Sequence, residues 1–177
     1  MSPFLPALQR GNAVAGRHAP LEWAGAAHST PKALVFAPPL IGGGAVQQLR
    51  MHRPLIRRGY DLFSFSFSGH GASGGRFSLA AALSDTRDAL DHAAEHARRR
   101  QVPLFALAAS YSAIPLLGAA GDRQPPFSRL VLINPLMRLS LAAVVRDFCA
   151  FCRRRRTRRP GATARIKTYL DLLFPDV

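Results

Sequence analysis

Residues 104–118 read LFALAASYSAIPLLG. Val102 to Ala108 is a short apolar run of the kind that fills a buried strand, and Ile114 to Ala120 continues as an apolar helix. Between them stands Ala108-Ala109-Ser110-Tyr111-Ser112. A nucleophile on a sharp strand-to-helix turn needs small residues two before and two after it, a requirement usually written GxSxG. AxSxS meets the steric rule, with Ala108 and Ser112 at the small positions. The competing reading is one small polar residue in Ala-rich text, so the neighbouring elements must decide.

They repeat a simple rhythm. Lys32 to Ala37 reads as a buried strand, and AVQQLRMHRPLIRRG as a helix to Gly59 interrupted by Pro54. Asp61 to Phe67, DLFSFSF, alternates as a second strand. Ser78 to Arg100 is a long helix whose apolar side carries Leu79, Leu83, Leu90 and Ala94, and Arg129 to Ile133 is a fourth strand. Strand and helix alternating through short connections predict an α/β fold, a parallel sheet with helices on both faces. Residues 1–31 read as irregular with a short strand near Leu21 to Ala24, residues 32–138 as the core, and 139–177 as a helical, Arg-rich lid or tail.

In such a sheet the loops at the carboxyl ends of the strands build the site. Ser110 would begin a helix, where backbone N–H groups favour a developing negative charge. An oxyanion hole needs two backbone donors, and Tyr111 N–H is one candidate. In the loop Pro38-Pro39-Leu40-Ile41-Gly42-Gly43 neither proline can donate, so Leu40 is the first residue able to supply the other. The loop Gly69-His70-Gly71-Ala72-Ser73-Gly74 permits a compact turn, and His70 there reads as structural rather than as a general base.

The order strand, PPLIGG, helix, strand, GHGASGG, helix, strand, AASYS, helix, strand, NP resembles the first half of the α/β-hydrolase fold, from about Lys32 to Pro135. It looks most like hydrolases whose second loop reads GHGxS, and AASYS is similar to the serine elbow of bacterial acyl-ACP thioesterases of the luminescence operon. The resemblance implies Ser110 as nucleophile, Leu40 and Tyr111 as oxyanion donors, and an ester or thioester substrate with an apolar acyl group. The family commonly has an aspartate three residues before the GHG turn, where this chain has Ser66. Its acid and base lie on later strands; here the last histidine is His96, and His70, His92 and His96 are poor substitutes for the base. The expectation is an N-terminal part of a longer protein, ending within its lid, with an inactive fragment that binds a ligand or partner as the alternative.

Composition bounds the remaining classes. The chain has 177 residues, 48% of them hydrophobic and 19% charged, as expected for a globular domain. No apolar run approaches the roughly 20 residues a bilayer span requires, and the N-terminus lacks the charge-first order of a secretory signal, so a cytoplasmic protein is expected. The net charge of +14 has a local source in RDFCAFCRRRRTRRPGATARIK. Without interleaved aromatics this run argues against nucleic acid and for a solvated segment, with an acidic acyl carrier protein as a further candidate partner. Cys149 and Cys152 lie within a helical pattern with no second ligand pair, so they read as reduced packing residues; no metal and no cofactor are expected.

Overall fold

The structure is a computed structural model, and it describes residues 22–121 and 124–136. These belong to a compact unit that ends at Leu136. Five strands form one sheet: β1 (Glu22–Ala26), β2 (Leu34–Phe36), β3 (Asp61–Ser66), β4 (Leu104–Ala109) and β5 (Arg129–Ile133), in the spatial order β1-β3-β2-β4-β5. The pairs β3–β2, β2–β4 and β4–β5 are parallel. β1 adds an antiparallel edge to the expected parallel sheet: it pairs with β3 from Glu22 opposite Ser66 to Ala26 opposite Leu62. An edge strand that enters from the N-terminal segment needs no crossover helix, and antiparallel edges on parallel sheets are common.

The helices are α1 (Ala45–Met51), α2 (Arg53–Arg57), α3 (Leu79–Arg99) and α4 (Ala113–Gly121). The helical run expected to Gly59 with an interruption at Pro54 is two helices that meet at His52, with Pro54 in the first turn of the second. Proline lacks an N–H and its ring would clash with the carbonyl of Arg50 one turn back, so the first helix ends before it. Ser78 caps α3, its hydroxyl accepting from Ala81 N at 3.0 Å.

Side chains of successive strand residues point to opposite faces, and each face has its own core. On one, Val35, Leu62 and Leu107 pack with Ala45, Leu49 and Ile56 of α1 and α2. On the other, the rings of Phe36, Phe63 and Phe65 stack at 6.1–6.2 Å. α3 buries Ala82, Ala89, Leu90, Ala93 and Ala97. This stripe differs from the expected one: Leu79 is exposed, and Leu83 is directed at Gly118 of α4. The sheet already supplies aromatic volume, so the helix supplies alanine and packs close. Burying each phenylalanine stabilises the fold by about 2–3 kcal/mol.

The topology fixes where a site can form. β2 sits between β3 and β4; the connection from β2 to β3 carries α1 and α2, and the one from β3 to β4 carries α3. Strand order therefore reverses at β2, and in open α/β sheets the crevice that takes a ligand lies beyond the carboxyl ends of the strands at such a point.

Candidate active site

Ser110 follows β4 directly and opens a single tight helical turn, Ser110–Ser112, before α4 begins. Its φ is +50°, one of three positive values at non-glycine residues among those described. An L-residue held in the left-handed region costs about 1–3 kcal/mol and persists only where its surroundings impose it. Those surroundings are identifiable. Ser112 Oγ donates to the Ala109 carbonyl at 2.8 Å and accepts from the Ala109 amide at 2.9 Å, bridging the turn. Leu136 N, beyond β5, donates to the Ser110 carbonyl at 2.9 Å. Ala108, Tyr111, Ser112 and Ala113 are buried while Ser110 itself is exposed. The turn thus lifts one hydroxyl out of an apolar segment.

Tyr111 lies inward, 5% exposed, edge-on to Phe67 at 6.2 Å. Burial pushes its phenol up to about 12, so the ring stays neutral and its side chain is a packing element. The second sequence-predicted donor, Leu40, is half-buried in the loop that leaves β2, after the buried Pro38 and Pro39. Its carbonyl accepts from Gly43 N at 2.9 Å, closing a turn. Phe36 of β2 pairs with Ala106 of β4 in parallel. The Leu40 loop and the Ser110 turn accordingly leave the same end of adjacent strands.

The GHGASGG loop borders this end from β3. His70 is buried, edge-on to Phe77 at 4.7 Å and to Phe67 at 6.2 Å, with Nδ1 3.4 Å from the Ser68 carbonyl. That is the environment of a packing residue. Two acids hold the loop, and neither was assigned a role from sequence. Asp85 of α3, fully buried, accepts from Ser68 N at 2.7 Å and Ser68 Oγ at 3.0 Å. An acid on the buried stripe of a helix was the available signal. Glu22 of β1 accepts from Ser66 Oγ at 2.6 Å and from Ala72 N at 3.2 Å.

Three further histidines of the described region are His28, His92 and His96. His28 Nδ1 meets buried Asp61 at 2.9 Å and Arg100 meets it at 3.2 Å, at the amino end of β3. His96 is held below its usual pKa by burial and then by Arg100, Arg99 and His92, against an opposing pull from Asp61. His92, stacked on Phe63 at 5.5 Å, is lowered by burial and by Arg99. Among the described residues no three His, Cys, Asp or Glu side chains are grouped to hold a metal ion, and no helix is long and apolar enough to cross a membrane. Cys149, Cys152 and the arginine run, like the lid or tail expected over 139–177, fall outside the described residues.

Comparison with known proteins bears on the same framework. No curated protein matches the chain by sequence. Among solved structures, a soluble variant of monoglyceride lipase from Saccharomyces cerevisiae is similar, with a TM-score of 0.64 at 16% identity over 88% of this chain and 54% of its own. A monoacylglycerol lipase from Paleococcus ferrophilus gives 0.52 at 18% identity over 89% and 53%. An α/β serine hydrolase homologue from Coxiella burnetii gives 0.54 at 19% over 66% and 58%. The chain thus spans little more than half the length of these proteins. A family model described as serine aminopeptidase, S33, matches residues 30–167. With that match covering most of the sequence and the strand order, crossovers and raised serine turn already described, the chain belongs to the S33 family of α/β-hydrolases.

Proposed function

We propose that this protein is a serine hydrolase acting on an ester or thioester with an apolar acyl group. The observation that carries the proposal is the conformation of Ser110: φ +50° and exposed, with Ala108, Tyr111, Ser112 and Ala113 buried around it, at a strand-to-helix turn. In this reading Ser110 Oγ attacks the acyl carbonyl carbon, and its proton leaves to a base. The carbonyl oxygen becomes an oxyanion received by the N–H groups of Leu40 and Tyr111. Collapse expels the alcohol or thiol, and water then releases the acid from the acyl-enzyme. The lipase names of the similar structures support an acyl substrate. The action is cytoplasmic, and Arg153 to Arg159 would steer an acidic acyl carrier toward the site.

A second reading, binding of a ligand or partner without turnover, is favoured by one observation. His70, the histidine in the loops at this end of the sheet, is buried edge-on against Phe67 and Phe77, the environment of a packing residue rather than of a base. Hydrolysis of p-nitrophenyl esters of increasing chain length, and of an acyl-carrier thioester, separates the two. Turnover that is lost in Ser110→Ala supports the hydrolase, and thioester turnover that falls with added salt supports the acidic carrier. A folded protein that binds the fatty acid yet hydrolyses none of these esters supports the second reading. Turnover unchanged in Ser110→Ala refutes the assignment of the serine.

A further inference from the structure

Glu22 belongs to none of the roles considered so far, yet its carboxylate lies where the two loops nearest β3 meet. The register explains why. Glu22 is the antiparallel partner of Ser66, so both side chains project on the same face of the sheet, that of α1. There, the Ser66 hydroxyl gives its one proton to Glu22 Oε2 at 2.6 Å, and its oxygen accepts the Ala45 N–H at 3.0 Å. Ala45 directly follows the Leu40–Gly44 loop. The same Glu22 oxygen accepts Ala72 N from the GHGASGG loop at 3.2 Å. The main chain is tied in as well, Glu22 N donating to Ser73 Oγ at 2.8 Å, and Ser73 Oγ donating to the Ser66 carbonyl at 2.7 Å.

Two glycines leave the space this cluster fills. A β-carbon on Gly71 would lie 2.2 Å from Glu22 Oε2 and 3.1 Å from Ser66 Oγ, and one on Gly44 would lie 3.0 Å from Ser66 Oγ. The approach to Glu22 is closer than a side-chain carbon tolerates, so a carboxylate at this point depends on Gly71 being glycine, whereas the two contacts with Ser66 Oγ are tight ones that a shift of a few tenths of an ångström would relieve. Position 66 is also where the family resemblance leads one to expect an aspartate. Here a hydroxyl stands on β3 and the negative charge comes from the neighbouring strand.

We propose that Glu22 is a positioning residue for the oxyanion loop. Its carboxylate fixes the Ser66 hydroxyl so that the lone pair faces Ala45 N–H, which sets the end of the loop carrying Leu40. Without the acceptor, the Ser66 proton is free to rotate and the hydroxyl no longer has one enforced orientation. A hydrogen bond to a charged acceptor is also about twice as strong as a neutral one, so this relay is stiffer than Ser66 alone could make it. The proposal rests on the assignment of Leu40 as an oxyanion donor for its catalytic consequence, but not for its structural one.

The test uses the full chain with Glu22→Ala, Glu22→Gln and the double variant Glu22→Ala with Ser66→Asp, which returns a carboxylate from the other strand. Two quantities are read: the saturating rate and apparent affinity of fluorophosphonate modification, and hydrogen exchange at the Ala45 amide. We expect Glu22→Ala to lower the saturating rate about tenfold with apparent affinity unchanged, and to lose protection at Ala45. Glu22→Gln, whose amide oxygen still accepts, should stay within about threefold of wild type, and the double variant should recover both readouts. Wild-type rates and protection in folded Glu22→Ala overturn the proposal, as does a folded double variant that recovers neither. Should Glu22→Ala fail to fold, the double variant decides alone: recovery supports the proposal and a tenfold deficit refutes it. If the wild type itself is not modified, the hydrolase reading fails separately, and the Ala45 exchange still decides the role of Glu22.

Discussion

The Ser112 hydroxyl both donates to and accepts from the backbone of Ala109, at 2.8 and 2.9 Å, and so clamps the turn that raises Ser110. From sequence, Ser112 was only a residue small enough not to collide. Its chemistry matters as much as its size, because at 1% exposure no water replaces the bonds it makes. Ser112→Ala should cost about 1–2 kcal/mol, since the half-buried Ala109 amide and carbonyl lose their partner. Chemical denaturation of the two proteins measures this; an unchanged midpoint would show that the clamp carries no stability.

A strained residue should respond to glycine differently from alanine. Ser110→Gly accepts φ +50° at little steric cost, whereas Ser110→Ala keeps the β-carbon that makes the conformation unfavourable. We expect the glycine variant to be more stable than the alanine variant by about 1 kcal/mol, although both lack the hydroxyl. Equal thermal midpoints would mean that the turn is relaxed.

Tyr111 provides a titration that separates side chain from backbone. Its phenol is raised from the ordinary 10.0 to about 12 by burial. Between those values the unfolded chain has released a proton that the folded chain retains, so stability is fully present below pH 10 and falls as pH rises toward 12. Two pKa units correspond to about 2–3 kcal/mol. Tyr111→Phe should flatten that alkaline decline while leaving the backbone N–H, and hence the reaction of Ser110, essentially intact. A decline of the same steepness in Tyr111→Phe would place its cause elsewhere.

These details show where sequence and structure part. The alternation of strand and helix and the turn signals around Ser110 were legible because short periods and small residues are local properties. β5 was found at Arg129 to Ile133, and β4 and α3 to within two residues at either end. What escaped depends on residues distant in the chain. The antiparallel placement of β1, Glu22 reaching Ser66 across 44 positions, and the alanine stripe of α3 against a phenylalanine-rich sheet are consequences of pairing. So is Asp85, whose partners Ser68 N and Oγ lie in the loop before its own helix. Pro54 was visible as an interruption because its missing N–H and its ring are local properties, and the structure divides the segment at His52 accordingly.

The central claim is that Ser110 is an activated nucleophile, and incubation of the full chain with a fluorophosphonate, read by intact mass and peptide mapping, tests it most directly. One covalent adduct per chain is expected, located on Ser110 and absent from Ser110→Ala. A folded protein that remains unmodified, or an adduct that persists in Ser110→Ala, would contradict it.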